Sequence, residues 1–281
     1  MKIDKERLVK RRKLHKNLMD MFGKEEIRRL QERLMNVWPA DHYYFLNGWI
    51  LRFTNGITAR ANSVFPLYYT GDLDTIDQDI EYVEKAYNSY KLPSIFTIPE
   101  FFEPDNLDIK LLEHGYQQLG CTTHTMICSI SDLKNKKINE KFTYFIKSER
   151  LKECSQFLAE YSHRNQEAQN VLEALSKRII IPQKRFIIAK DENKVIGTLA
   201  GILDPHGFLY IVDVLVHPDF RRQKIATSMF FSLISNRGIM NDIQTVWLQV
   251  ETDNYKAMNL YLNLGFKKAY SYYYLEKTMK M

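Results

Sequence analysis

Hydrophobic residues recur at near-helical spacing at Leu8, Leu14, Leu18 and Met21, and again at Ile27, Leu30, Leu34 and Trp38. Such a repeat predicts amphipathic helices. Residues 5–37 therefore read as two helices, separated at Gly23 and stopped by Pro39. The period then changes. Tyr43–Leu46 and Trp49–Phe53 are aromatic and branched runs flanking Asn47-Gly48, a strong signal for a tight hairpin. Asn55-Gly56 predicts a second hairpin turn leading into residues 57–67. The pattern continues with a helix over about 75–90, a strand at 94–98, a helix at 107–114 stopped by Gly115, and a strand from 117 to 130.

The stretch Asp132-Leu133-Lys134-Asn135-Lys136-Lys137 is short, polar and lysine-rich, which is the composition of a linker. Beyond it the spacing predicts a strand at 142–146, helices at 148–161 and 166–177, and strands at 185–190, 195–203 and 208–217. Next come a helix over 223–236, a strand at 245–251, a helix at 254–264 and a strand at 266–275. The order of this half is β-α-α-β-β-β-α-β-α-β. Both halves alternate helix and strand, so the fold class is α/β, an α+β arrangement on mixed sheets.

Composition sets limits on this picture. The 281 residues suffice for one large or two ordinary domains, and 45% hydrophobic with 26% charged residues is a globular balance. No apolar run approaches the roughly 20 residues that span a bilayer, and no signal-peptide core follows the charged start. Cytoplasmic retention and no membrane partner are the expectations. Cys121, Cys128 and Cys154 are odd in number and unlike any zinc spacing, so reduced thiols and no metal are expected. The net charge of +6 lies entirely in residues 1–33, which hold 12 Lys/Arg against 6 Asp/Glu, and the remainder balances. Acidic residues interrupt that basic arm, which favours a solvated, packed helix over a nucleic-acid surface.

Candidate chemistry gathers at residues 214–226, where an apolar strand ends at Pro218 and a cationic turn precedes a helix with Ile225, Met229, Phe230 and Leu233 on its apolar stripe. The first turn of a helix offers unpaired N–H groups and the positive end of its dipole. Arg221 and Arg222 add full charge at the same place. The combination suits a pyrophosphate.

The second half resembles the GCN5-related N-acetyltransferases, the GNAT superfamily. Arg221-Arg222-Gln223-Lys224-Ile225-Ala226 stands where that family has Arg/Gln-x-x-Gly-x-Gly/Ala, and Val216-His217-Pro218 matches its Val-x-Pro. Val250, Asn254, Ala257, Tyr261, Gly265 and Phe266 match its downstream signature. The first half resembles the N-terminal half of bacterial tandem GNAT proteins through Trp38-Pro39, Gly48–Arg52 and Thr58–Val64. It carries no cationic loop, so it is expected to bind no cofactor and to serve as a scaffold. The resemblance implies two GNAT-like domains in tandem: an N-terminal helical arm at 1–37, a degenerate domain at 38–133, and a catalytic domain at 138–281.

The resemblance further implies acetyl transfer from acetyl-CoA to a primary amine, on a small molecule or a protein. Val214, Leu215 and Val216 would bond the pantetheine arm through their backbone. Arg221, Arg222, Gln223, Lys224, Ile225, Ala226 and Thr227 would cradle the phosphates. Asn254 would cap its helix and touch the cofactor, and Tyr261 would serve the departing thiolate. Asp213 is the candidate base, with Tyr210 or a water chain as alternatives. His163, Arg164 and His206 lie where the family builds its acceptor site. Lys224 departs from the family's glycine; a lysine fits there if the residue is already helical. A non-catalytic acyl-CoA sensor or partner-binding module is the alternative function.

Overall fold

The computed structural model describes residues 23–235 and 242–278. The first expected helix and most of the basic arm lie outside the described residues. The described chain falls into two compact units: residues 23–125, 251–253 and 268–278 form the first, and residues 126–235, 242–250 and 254–267 form the second.

The first unit opens with α1 (Lys24–Val37), whose Ile27, Leu30 and Leu34 are buried as their spacing predicts. Strands β1 (His42–Leu46) and β2 (Trp49–Phe53) pair antiparallel through a turn with Asn47 at φ 46° and Gly48 at φ 87°. Only glycine suits position 48, because a Cβ there would lie 2.8 Å from Tyr68 O. The second hairpin is not tight. Residues 59–61 form a 3₁₀ turn, and β3 is only Val64–Phe65. The Asn62 side chain accepts from Thr54 N at 2.7 Å and donates to Thr58 O at 2.8 Å, occupying backbone groups a ladder would use.

The unit continues with α2 (Ile76–Ser89), β4 (Ser94–Pro99), α3 (Leu107–Glu113) and β5 (Gln117–Ser129), which crosses the boundary between the units at Thr125. Trp49, Leu51, Ile80, Val83, Tyr87 and Phe96 are central to its core. Arg52 is fully buried; it donates to Trp38 O, and to Arg60 O at 2.6 Å, and lies over the Phe65 ring. The three sequence stretches that mark this half therefore meet at one internal latch.

The second unit holds β6 (Thr143–Lys147), α4 (Lys152–Tyr161), α5 (Gln166–Arg178), β7 (Lys184–Asp191), β8 (Lys194–Leu203), β9 (Phe208–Val216), α6 (Ile225–Ile234), β10 (Thr245–Glu251) and α7 (Tyr255–Leu264). Its strands lie in the order β10-β9-β8-β7-β6. Gly197 and Gly201 on β8 admit α6. A Cβ at Gly201 would sit 2.5 Å from Leu233 Cδ2, and one at Gly197 would sit 3.1 Å from Met229 Cε. The predicted stripe Ile225, Met229, Phe230 and Leu233 is buried in this core.

The final strand, β11 (Lys267–Lys277), follows the predicted order but not the predicted boundary. Residues 268–278 belong to the first unit, where β11 pairs antiparallel with β4 from Tyr272↔Pro99 to Lys277↔Ser94. A contiguous domain at 138–281 is thus not what the packing shows, because the last strand completes the other unit's sheet.

Candidate active site

The site is organised by a split between two parallel strands. β9 and β10 pair from Phe208↔Thr245 to Ile211↔Leu248, and there the ladder ends, although β9 runs on to Val216 and β10 to Glu251. On its other edge β9 stays paired with β8, but the register shifts: Thr198 faces Leu215 while Ala200 faces Val212. Asp213 and Val214 thus oppose the single residue Leu199, which is a β-bulge. Asp213 lies at φ 54°, in the left-handed region. Past the bulge, Val214, Leu215 and Val216 have no ladder partner on β10.

At the end of β9 the chain makes a built turn. His217 is buried, its N donates to Ile196 O at 2.9 Å, and its Nδ1 accepts from Asp219 N at 3.2 Å. Its ring packs on Tyr161 at 4.5 Å and on Phe220 at 5.5 Å. Arg221 Nε donates back to Val216 O at 3.3 Å. Arg221, Arg222 and Lys224 are exposed, and none forms a salt bridge among the described residues. They surround the start of α6, where Ile225, Ala226 and Thr227 have no intrahelical acceptor for their N–H groups.

Arg222 lies at φ 65° and Lys224 at φ 62°, ψ 16°. Lys224 is therefore left-handed and outside the helix, which corrects the expectation that it would be helical. Backbone that turns through this region gathers N–H groups into an anion-binding concavity, and a glycine would adopt it without strain. Asn139 was not flagged by the sequence. Its Nδ2 donates to Gln223 O at 3.0 Å, and its N donates to Ser228 Oγ at 2.9 Å, so it anchors both sides of the turn. It lies more than 80 residues from its partners, and no local pattern signals it.

Asp213 does not stand as an available base. Its Oδ2 accepts from Arg150 Nη1 at 2.7 Å, with side-chain exposures of 9% and 5%, and Arg164 Nη1 lies 4.0 Å from Oδ1. Taking up a proton there would break a buried ion pair and leave a guanidinium unmatched. Arg150 is a second residue the sequence reading missed. Of the expected acceptor-side residues, Arg164 joins this cluster, while His163 and His206 are exposed.

Asn254 caps α7, its side chain accepting from Ala257 N at 3.2 Å. Tyr261 on that helix is buried and packs on Phe266 at 5.7 Å. Burial, reinforced by the nearby Tyr210 hydroxyl, holds its phenol well above the usual tyrosine range. It stays protonated near neutrality, able to donate a hydrogen bond. Tyr210 lies at the last rungs of the β9–β10 ladder, opposite Trp247. For metals, Cys121, Glu251 and Asp253 place ligand atoms within 4.8 Å of one another in the first unit. Burial and the two carboxylates raise the Cys121 thiol, which disfavours the ligating thiolate.

Residues 148–266 match the family model for the acetyltransferase (GNAT) family. The chain carries a GNAT acetyltransferase domain in its C-terminal region. Residues 24–142 match the model described as probable histone acetyltransferase Rv0428c C-terminal, so this GNAT domain follows an Rv0428c-like acetyltransferase domain. The chain is 26% identical over 257 residues to the uncharacterized N-acetyltransferase YobR of Bacillus subtilis (strain 168), covering 89% of this chain and 98% of that one. Among solved structures, it resembles a GCN5-related N-acetyltransferase from Kribbella flavida with a TM-score of 0.68 at 12% identity, covering 90% and 96% of the two chains. It also resembles a tandem GNAT protein from the clavulanic acid biosynthesis pathway, with a TM-score of 0.55 at 10% identity, covering 74% and 70%. These last two likenesses bear on the fold. Most of the residues matched by the GNAT model lie in the unit that holds the strand split and the cationic turn. Among the described residues, no helix is long and apolar enough to cross a membrane.

Proposed function

We propose that the second unit transfers an acetyl group from acetyl-CoA to a primary amine by direct attack. The observation that carries this reading is the ladder ending at Ile211/Leu248, together with a helix N-terminus preceded by three exposed cations. The pyrophosphate would rest on the N–H groups of residues 225–227, with Arg221, Arg222 and Lys224 around it and Gln223 held in place by Asn139. The pantetheine arm would lie along Val214–Val216, and a backbone N–H there would polarise the thioester carbonyl. Bound acetyl-CoA supplies the activated acyl group. Tyr261 would donate a hydrogen bond to the sulfur as charge builds on it, and its raised pKa favours stabilising the thiolate over full proton transfer. With Asp213 ion-paired, the amine's proton would leave through water.

Calorimetry with acetyl-CoA, followed by a screen of small amines, amino acids and lysine peptides for free CoA release, tests the proposal. Tyr261→Phe is expected to keep cofactor affinity and lose on the order of 10²-fold in turnover. No heat of binding at millimolar acetyl-CoA would remove the reading. A second reading, an acyl-CoA sensor without turnover, gains support from the engaged state of Asp213; binding with no CoA release across the whole panel would favour it. The free Cys128 and Cys154, both buried, support a reducing, cytoplasmic setting.

A further inference from the structure

We infer that Arg150 is a positioning residue that, through Asp213, clamps the β9 bulge and thereby sets the backbone that the cofactor's acyl arm would meet. This rests on the acetyl-CoA reading above, and it assigns a residue that lies outside the loop and signature motifs.

The guanidinium of Arg150 reaches three elements. Nη1 donates to Asp213 Oδ2 at 2.7 Å on β9, Nη2 to Gln169 Oε1 at 2.8 Å on α5, and Nε to Ser155 Oγ at 3.3 Å on α4. Ser155 in turn donates to Glu173 Oε2 at 3.3 Å. Asp213 is held at a second point as well, since its carbonyl accepts from Thr198 Oγ1 at 3.1 Å. The residue so gripped is the one at φ 54° where β9 slips by one position against β8. A non-glycine residue leaves that conformation unless its surroundings hold it. The bulge falls two residues after β10 stops pairing with β9, so it decides how the peptide groups of 214–216 point beyond the end of that ladder.

Without Arg150, a buried carboxylate would lose its counter-charge while the bulge lost its clamp. β9 would then relax toward regular pairing with β8, and the backbone of 214–216 would turn with it. The cationic turn at 221–224 is built by other residues and would stay in place. Arg150 therefore acts on the acyl-arm half of the site and leaves the phosphate half alone, a division that a general loss of stability would not produce.

The test uses the full-length protein with three variants: Arg150→Met, Arg150→Lys, and the double variant Arg150→Met/Asp213→Leu. The double variant guards against unfolding from a stranded carboxylate, because replacing both charges with apolar groups is tolerated far better than removing one. Amide hydrogen exchange on the ligand-free protein reads the clamp directly. Protection at residues 213–216 is expected to fall on the order of tenfold or more in Arg150→Met and in the double variant, with 225–234 unchanged. Arg150→Lys, which keeps the charge and loses the fork, is expected between them and wild type. Acetyl-CoA affinity should follow the same order, whereas ADP, which lacks the acyl arm, should bind alike to all. Unchanged exchange at 213–216 in the double variant overturns the inference, and so does an equal loss of ADP and acetyl-CoA binding. If wild type binds no acetyl-CoA, the acetyl-transfer reading fails and the exchange data still decide the clamp.

Discussion

Lys224 offers the sharpest test of how the phosphate turn is built. The residue is left-handed, at φ 62°, directly before α6. Lys224→Gly and Lys224→Ala both remove the ammonium and differ only in a Cβ. For a residue with a Cβ this conformation costs roughly 1–2 kcal/mol. Glycine escapes that cost and gives back about 0.5–1 kcal/mol through the greater freedom of its unfolded chain. The Gly variant should therefore be more stable than the Ala variant by about 0.5–1 kcal/mol, or about 1–4 °C in Tm for a chain of this size. Urea titrations read the difference at constant m-value. Both variants should bind acetyl-CoA about two- to fivefold more weakly than wild type, the loss shrinking as salt is raised, because an exposed ammonium contributes modestly and is screened. An Ala variant as stable as the Gly variant would refute the backbone argument. Equal salt dependence in wild type and both variants would refute the charge argument.

Gly201→Ala should cost about 1–3 kcal/mol in denaturant, because the new Cβ falls 2.5 Å from Leu233 Cδ2 and 3.2 Å from Leu209 Cδ1, in a core where Leu233 is fully buried; a neutral result would mean that Leu233 can shift freely there. Burial raises the phenols of Tyr87 and Tyr261 in the folded protein. The folded state then keeps protons that the unfolded state releases above about pH 10, so stability should be indifferent to these groups below that pH. Above it, stability should fall by about 1.4 kcal/mol per pH unit for each. Melts at pH 9, 10 and 11 would detect this, and flat stability to pH 11 would contradict it. With Asp213 paired to Arg150, turnover should rise with pH through the acceptor amine's own titration; a plateau that stays put when the acceptor is changed for one of different basicity would point to a base on the enzyme.

The parts legible in the sequence are those whose causes are local. The α6 stripe, the Asn47-Gly48 turn, the Asn254 cap and the order of elements from β6 onward all follow from spacing, turn chemistry and capping. The cationic turn was legible as well, because its residues are consecutive. The missed features depend on residues far apart in the chain. Arg150 meets Asp213 across 63 residues and Asn139 meets Gln223 across 84, so neither leaves a periodic trace. Lys224 was misjudged because residue type does not report φ. Nothing in the valines flanking Asp213 discloses the guanidinium of Arg150 opposite it.

The pairing of β11 with β4 has a consequence for the order of events on the ribosome. In the β4–β11 ladder Ser94 lies opposite Lys277, 183 positions later. The first unit is thus translated early but cannot close its sheet until residues 272–277 have emerged, and the edge of β4 waits uncovered while the second unit is being made. Closure over so long a separation is slow relative to local contacts. A nascent chain halted before residue 272 should therefore expose β4 to chaperones or to other chains, even though every residue of β1–β4 is already present.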